Sequence, residues 1–173
     1  MSAVTPILVI VMGVSGVGKS TIASTVATRL NMAFIEADEF HSDEAIQSMG
    51  CGIPLTDELR QGWIECLCNA ANQYILNNQS VVLAYSGLKT KHRAQFSALP
   101  CRTLFLLLDA SFDLLRGRLA ERKNHFFPES LLQSQFEDFE PLTSDINSRK
   151  VNAERAEEFV IDECLKHIRD FKE

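Results

Sequence analysis

Residues 7–12, Ile7-Leu8-Val9-Ile10-Val11-Met12, are apolar without a break, and the next residues, Gly13-Val14-Ser15-Gly16-Val17-Gly18-Lys19-Ser20, have the form G-x-x-x-x-G-K-[ST]. The apolar run reads as a strand buried on both faces. After the loop, Ile22, Val26 and Leu30 recur at helical spacing, with Ala23 and Ala27 beside them. Strand, glycine loop and helix in this order are what a phosphate-binding (Walker A) loop requires. Glycines at 13, 16 and 18 let backbone N–H groups turn toward an anion, and the positive end of the helix opening near Lys19 points the same way. Residues Gly13, Val14, Ser15, Gly16, Val17, Gly18, Lys19, Ser20 and Thr21 are therefore the candidate nucleotide-binding set. Lys19 is expected to reach the β- and γ-phosphates and Ser20 to ligate Mg²⁺. A glycine-rich turn that binds nothing is the alternative.

The rest of the chain alternates strands with helices, which implies a parallel sheet with helical crossovers. Phe34-Ile35 is a short second strand ending near Asp38. Trp63, Leu67, Ala70 and Tyr74 share a helical face after Thr56, a candidate N-cap, and Asn77-Asn78 closes that element. Residues 81–85 and 103–108 read as the third and fourth strands, with a helix over 111–123 after the fourth. A fifth strand around 146–151 is poorly marked. A final amphipathic helix carries Phe159, Val160, Cys164, Ile168 and Phe171 on one side.

With 173 residues, 46% of them hydrophobic and 23% charged, the chain is expected to form one domain over residues 1–173 with a substantial core. A net charge of −6 argues against a nucleic-acid partner, since phosphate backbones are held by clustered Lys and Arg. Five cysteines with no C-x-x-C pair indicate neither a disulfide framework nor a zinc site, and free thiols in a cytoplasmic setting are the simplest reading. The N-terminal apolar run is too short to span a membrane.

In open parallel sheets, ligands sit beyond the carboxyl ends of the strands, where Asp38, Ser86 and Asp109 stand. Asp109 ends an apolar run as a Mg²⁺-binding aspartate does. If the strand beside the phosphate loop is the third, ending in Ser86, then Asp109 is better read as a cap for the helix near Ser111.

Beyond the loop, Asp38-Glu39-Phe40-His41, Gly52-Ile53-Pro54-Leu55-Thr56-Asp57, Arg60 with Trp63, Ser86-Gly87-Leu88-Lys89 with Arg93, Arg118 with Arg122, His125-Phe126 and Leu131-Leu132 leading into Ser134-Gln135-Phe136 carry a resemblance. In order, and over nearly the whole chain, they are similar to the gluconokinases, a group of shikimate-kinase-like P-loop small-molecule kinases. The resemblance implies an α/β, three-layer P-loop kinase fold with a five-stranded parallel sheet flanked by helices. A mobile lid is implied over roughly 122–135. It further implies ATP and Mg²⁺ as cofactors and phosphorylation of a sugar-acid hydroxyl, with D-gluconate to 6-phosphogluconate the leading reaction. A homodimer is the candidate assembly.

Each candidate has a physical role. Transfer to an alcohol needs a carboxylate to orient the hydroxyl and accept its proton, and Asp38 is assigned that role. The resemblance places Asp38 between sugar and Mg²⁺, so the metal set is Ser20 and Asp38. His41 is positioned for a substrate hydroxyl or for the carboxylate, or else it is a structural hydrogen-bonding residue. The acceptor's own carboxylate needs a cation, and Arg60 is the leading one; a solvated first-turn arginine is the competing reading. Lys89 and Arg93 are expected to meet substrate oxygens or the transferring phosphate. Arg118 and Arg122, four apart on a helix, are expected to face the lid together, one stacking on adenine and the other approaching the phosphates. Arg122 thus joins Asp38 and Lys19 as catalytic, Arg118 joins the nucleotide set, and His125 at the lid tip joins the substrate set.

The chain departs from the family pattern at Ser42, Ala45, Ser48, Leu59, Gly62 and His92, all in or near the acceptor half. Three rivals therefore accompany the main expectation: a kinase for another sugar acid or shikimate-like polyol acid, a nucleoside or nucleotide kinase, and a non-catalytic ATP-binding regulator.

Overall fold

A computed structural model of the chain describes residues 5–122 and 128–173. Strand β1 (Ile7–Met12) is buried along its whole length and lies in the middle of a parallel sheet. Its alternate side chains feed two separate cores, as the two-residue repeat of a strand requires. Ile7, Val9 and Val11 enter one core, and Leu8, Ile10 and Met12 enter the other. That is why the run is apolar without alternation.

The sheet order is β2-β3-β1-β4-β5, with β2 (Ala33–Glu36), β3 (Val81–Ala84), β4 (Arg102–Asp109) and β5 (Ser148–Asn152) all parallel to their neighbours. β1 pairs with β3 through Leu8–Val81 and with β4 through Leu8–Thr103. The third strand therefore lies beside the strand that leads into the phosphate loop, the arrangement on which the reading of Asp109 depends, and the fourth lies on its other side. Helix α1 (Lys19–Arg29) packs on the first face, together with buried residues of α5 (Phe112–Ala120), α6 (Glu129–Asp138) and α7 (Glu157–Lys172). α3 (Asp57–Leu76) and α4 (Thr90–Ser97) cover the other. Helices on both faces of a five-stranded parallel sheet make the expected three layers.

Local signals explain most element ends. Thr56 Oγ1 accepts from the Leu59 amide and caps α3, and Ser42 does the same for α2 (Asp43–Gly50) through Ala45. Gly18, at φ 103°, turns the chain into α1. Gly87 stands at φ 67°, and a Cβ there would lie 2.8 Å from Met12 Cε, so only glycine fits beneath the loop after β3.

Several expectations are corrected. Ser111, rather than Asp109, caps α5, its Oγ accepting from the Leu114 amide. α5 ends at Ala120, so Arg122 lies beyond the helix that carries Arg118. Of the segment expected as lid, 123–127 lie outside the described residues and 129–135 form the start of α6, where Leu132 is buried in the first core and Leu131 lines the pocket. Phe159 is 57% exposed under the Arg155 guanidinium, off the buried face of α7. β5 buries Val151 alone among its residues, which is why its sequence marks a strand so weakly. Among the described residues, no helix is long and apolar enough to cross a membrane.

Candidate active site

The carboxyl ends of β1, β2 and β3 open into one pocket of about 450 Å³. Ser15, Gly16, Gly18, Lys19, Ser20 and Thr21 line one end of it. Gly13, Gly16 and Gly18 all have positive φ, and at Gly13 a Cβ would come within 2.8 Å of the Leu108 carbonyl oxygen. The loop backbone is thereby pressed close to the sheet. Lys19 Nζ donates to the Val14 carbonyl at 3.0 Å, which arches its side chain back over the loop. Burial pulls the Lys19 ammonium pKa down, while Asp38 and Glu36 pull it up. A cation facing a carboxylate across a cradle of amides fits a polyphosphate. Val14 and Val17, by contrast, are buried in the core, so they shape the loop from beneath.

The opposite end is built by the short 3₁₀-helix Ala37–Phe40, which follows β2, and by the first turns of α3. Trp63 fixes the two together: its Nε1 donates to the Ala37 carbonyl at 2.8 Å. His41 stacks on the indole with ring centroids 4.1 Å apart, and Tyr85 meets the indole edge-on at 5.3 Å. Asp38 thus rises from a backbone anchored to the aromatic floor, with its side chain 76% exposed in the pocket. His41 Nε2 lies 3.7 Å from Asp38 Oδ1, and its buried Nδ1 has no partner. Burial lowers the His41 pKa against the opposing pull of Asp38, which favours the neutral ring. The imidazole thus presents Nε2 to Asp38 and keeps Nδ1 shut away from the pocket.

Arg60 also lines the pocket, and its side chain is only 11% exposed, which removes the reading of a solvated first-turn arginine. Its Nη2 lies 3.4 Å from Asp138 Oδ2 on α6, and Lys89 Nζ lies 3.1 Å from Oδ1 of the same carboxylate. Lys89 therefore stands behind Asp138 and does not itself line the pocket. Gln135, one turn earlier on α6, accepts from the Ser15 amide at 2.7 Å. Neither Gln135 nor Asp138 had a role assigned from sequence. Gln135 lies within the Ser134-Gln135-Phe136 segment, the one signal that pointed there.

Other expected site residues go elsewhere. Arg93 is 1% exposed, and its guanidinium donates to the carbonyls of Gly87, Leu88, Glu140 and Pro141 and to Thr90 Oγ1. With both terminal nitrogens committed within the protein and only the buried Nε unpaired, it fastens the loop after β3 to the segment after α6 and does not line the pocket, and the substrate-binding expectation is corrected. Arg118 Nη2 donates to the Ala153 carbonyl at 3.2 Å, near the end of β5, whereas Arg122 lines the pocket. The expectation that both arginines project together is corrected by the end of α5 between them. Asp109 pairs with Lys150 at 2.9 Å in a separate, shallow groove. His125 lies outside the described residues.

Among the described residues there is no cluster of three His, Cys, Asp or Glu side chains suited to a metal. Mg²⁺ in nucleotide sites takes few protein ligands, with phosphate and water oxygens completing its shell. Ser20 and Asp38, both in the pocket, suit that sparse set.

Residues 15–169 match the shikimate kinase family. The rat (Rattus norvegicus) protein named "Probable gluconokinase" is 37% identical over 169 residues, covering 87% of this chain and 91% of its own. A solved sugar kinase from Janibacter sp. HTCC2649 superposes with a TM-score of 0.90 at 38% identity, covering 95% of both chains. A solved gluconokinase from Sinorhizobium meliloti 1021 gives 0.86 at 32% identity, covering 97% of this chain and 94% of the other.

Proposed function

Since the chain belongs to the shikimate kinase family and, within it, to the gluconokinases, we propose that it transfers the γ-phosphoryl group of ATP to a hydroxyl of a sugar acid, D-gluconate giving 6-phosphogluconate. The observation that carries this reading is the single pocket in which the phosphate loop faces Asp38, His41 and Arg60. A donor cradle alone would serve any nucleotide-binding protein. Opposite it, a carboxylate positioned by an imidazole, together with an arginine, supplies what a polyhydroxylated acid needs.

In this reading the loop amides, Lys19 and Thr21 hold the triphosphate, and Ser20 and Asp38 would hold Mg²⁺, which when bound neutralises phosphate charge. Asp38 orients the acceptor hydroxyl and takes its proton as the oxygen attacks phosphorus. His41, stacked on Trp63 with its Nε2 3.7 Å from Asp38 Oδ1, positions the carboxylate that faces the acceptor. Arg60 receives the acid group, setting which end of the acceptor lies deepest. Arg122, on the pocket wall, balances the negative charge that moves to the departing ADP oxygen.

The test is ADP release with ATP and Mg²⁺ over a panel of D-gluconate, other sugar acids, shikimate and nucleoside acceptors. Turnover greatest on D-gluconate is expected. Turnover greatest on shikimate or a nucleoside would replace the acceptor, and ATP binding without turnover on any acceptor would replace the enzyme with a regulator.

A further inference from the structure

Asp138, the last residue of α6, reaches two cations from different parts of the chain. One is Arg60 on α3, at 3.4 Å from Oδ2; the other is Lys89 before α4, at 3.1 Å from Oδ1. The three side chains are drawn well away from water, at 31%, 11% and 22% exposure for Asp138, Arg60 and Lys89. Asp57, the other carboxylate beside Arg60, is farther off at 3.9 Å and is itself shared with Lys91. Among the described cations lining the pocket, Lys19 and Arg122 are assigned to the phosphates, which leaves Arg60 for the acceptor side. The chain thus brings its own carboxylate to the guanidinium on which an acid acceptor depends.

We infer that Asp138 is an acceptor-specificity residue: an internal carboxylate that holds Arg60 in the ligand-free chain and competes with the acceptor's carboxylate for it. The inference rests on the assignment of Arg60 to the acid group of the acceptor. Two partners make the exchange feasible. When an incoming carboxylate takes Arg60, Asp138 keeps Lys89, so neither it nor the lysine is left as an unpaired, half-buried charge. An uncharged polyol faces no such contest. Asp138 therefore weakens binding of acids relative to neutral polyols of the same length, and favours acids whose carboxylate reaches Arg60 without crowding Asp138.

Trp63, the chain's single tryptophan, lines the same pocket, so its fluorescence reads acceptor binding without turnover. Wild type, D138N and D138T are titrated with D-gluconate and with sorbitol, its uncharged six-carbon counterpart. Both variants remove the charge, and Asn keeps the shape. Gluconate Kd is expected to fall about three- to fivefold in each, the scale of a partly exposed ion pair, with sorbitol Kd unchanged. Unchanged or weaker gluconate binding, an equal change for both ligands, or no gluconate binding to any of the three proteins overturns the inference. The acceptor panel on wild type tests the functional reading separately: a wild type inactive on every acid fails that reading even where D138N tightens gluconate binding.

Discussion

Gln135 Oε1 accepts a hydrogen bond from the Ser15 amide at 2.7 Å, so a helix from late in the chain rests on the phosphate loop near its start. Three residues on, Asp138 of the same helix holds Arg60 and Lys89. Residues three apart share a helix face, and α6 uses that face to touch both ends of the pocket. Replacing Gln135 with Glu keeps an acceptor for the Ser15 amide but brings a negative charge to the polyphosphate site. Q135E is expected to melt within about 2 °C of wild type, near the 1 kcal/mol scale for a domain of this size. Its KM for ATP should rise about tenfold, or about 1.4 kcal/mol. An unchanged KM for ATP would place Gln135 away from the phosphates.

Asp38 and Arg60 stand in the same pocket but should fail differently. D38N keeps the size of the side chain and loses the proton acceptor, so kcat should fall by about 10²–10⁴ with ATP affinity retained. R60A removes a partner for the acid group. KM for the acceptor should rise far more than KM for ATP, by about tenfold or more, since a charge-assisted bond contributes about 1.5–3 kcal/mol. Near-normal turnover in D38N would end its assignment as the base, and equal KM changes in R60A would remove the arginine from the acceptor.

What could be read in the sequence was local. The phosphate loop announces itself because strand, glycines, lysine and helix are contiguous, and the Thr56 cap lies next to the helix it starts. The β1 run reveals burial on both faces because each side of the sheet takes every second residue. Partnerships across the fold leave no such mark. Asp138 finds Arg60 across 78 positions, and Gln135 finds Ser15 across 120. Arg93 looked like a binding residue because arginine after a strand end suits an anion. Only the fold shows four carbonyls converging on it. Helical spacing placed Phe159 with Val160 and Cys164, but periodicity cannot tell the edge of a buried stripe from its centre.

Arg93 gives a prediction of stability rather than of binding. Its removal leaves the buried Gly87 carbonyl without a donor, leaves Leu88 with the Glu140 amide alone, and unties the part-buried carbonyls of Glu140 and Pro141. The orphaned Gly87 carbonyl costs about 1–3 kcal/mol and the lost ties to the segment after α6 add about 1 kcal/mol, so R93M should lose about 2–4 kcal/mol and melt about 4–12 °C lower. R93K, with one ammonium for a forked guanidinium, should recover only part of this. A variant that melts normally but has a raised acceptor KM would return Arg93 to the substrate.

Asp109 offers a contrasting case. It pairs with Lys150 on the surface groove beside β5 and does not line the pocket that holds Lys19 and Ser20. D109N should therefore leave the Mg²⁺ concentration for half-maximal activity within about twofold of wild type, the shift expected of a screened, exposed charge. A larger shift would restore Asp109 as a metal partner.

His92 is fully buried, and neither ring nitrogen has a hydrogen-bond partner. Burial lowers its pKa from 6.5, with Lys91 and Arg60 adding to the effect, and burial likewise lowers that of His41. Both rings therefore bind fewer protons in the folded chain than in the unfolded one. Stability is full above pH 6.5 and declines as pH falls from there toward the lowered folded values, where the unfolded chain alone takes up protons. H92L removes one of the two groups and also frees the core of unpaired polar atoms, a cost of about 1–3 kcal/mol in wild type. Leucine does not fill the space of the ring, which offsets part of that gain, so a net rise of about 2–4 °C in Tm at pH 7.5 is expected. The decisive readout is the difference between the two proteins across pH. It should widen between pH 6.5 and 5.5, because wild type loses the His92 contribution there and H92L does not; a constant difference would mean that His92 has the same proton affinity folded and unfolded.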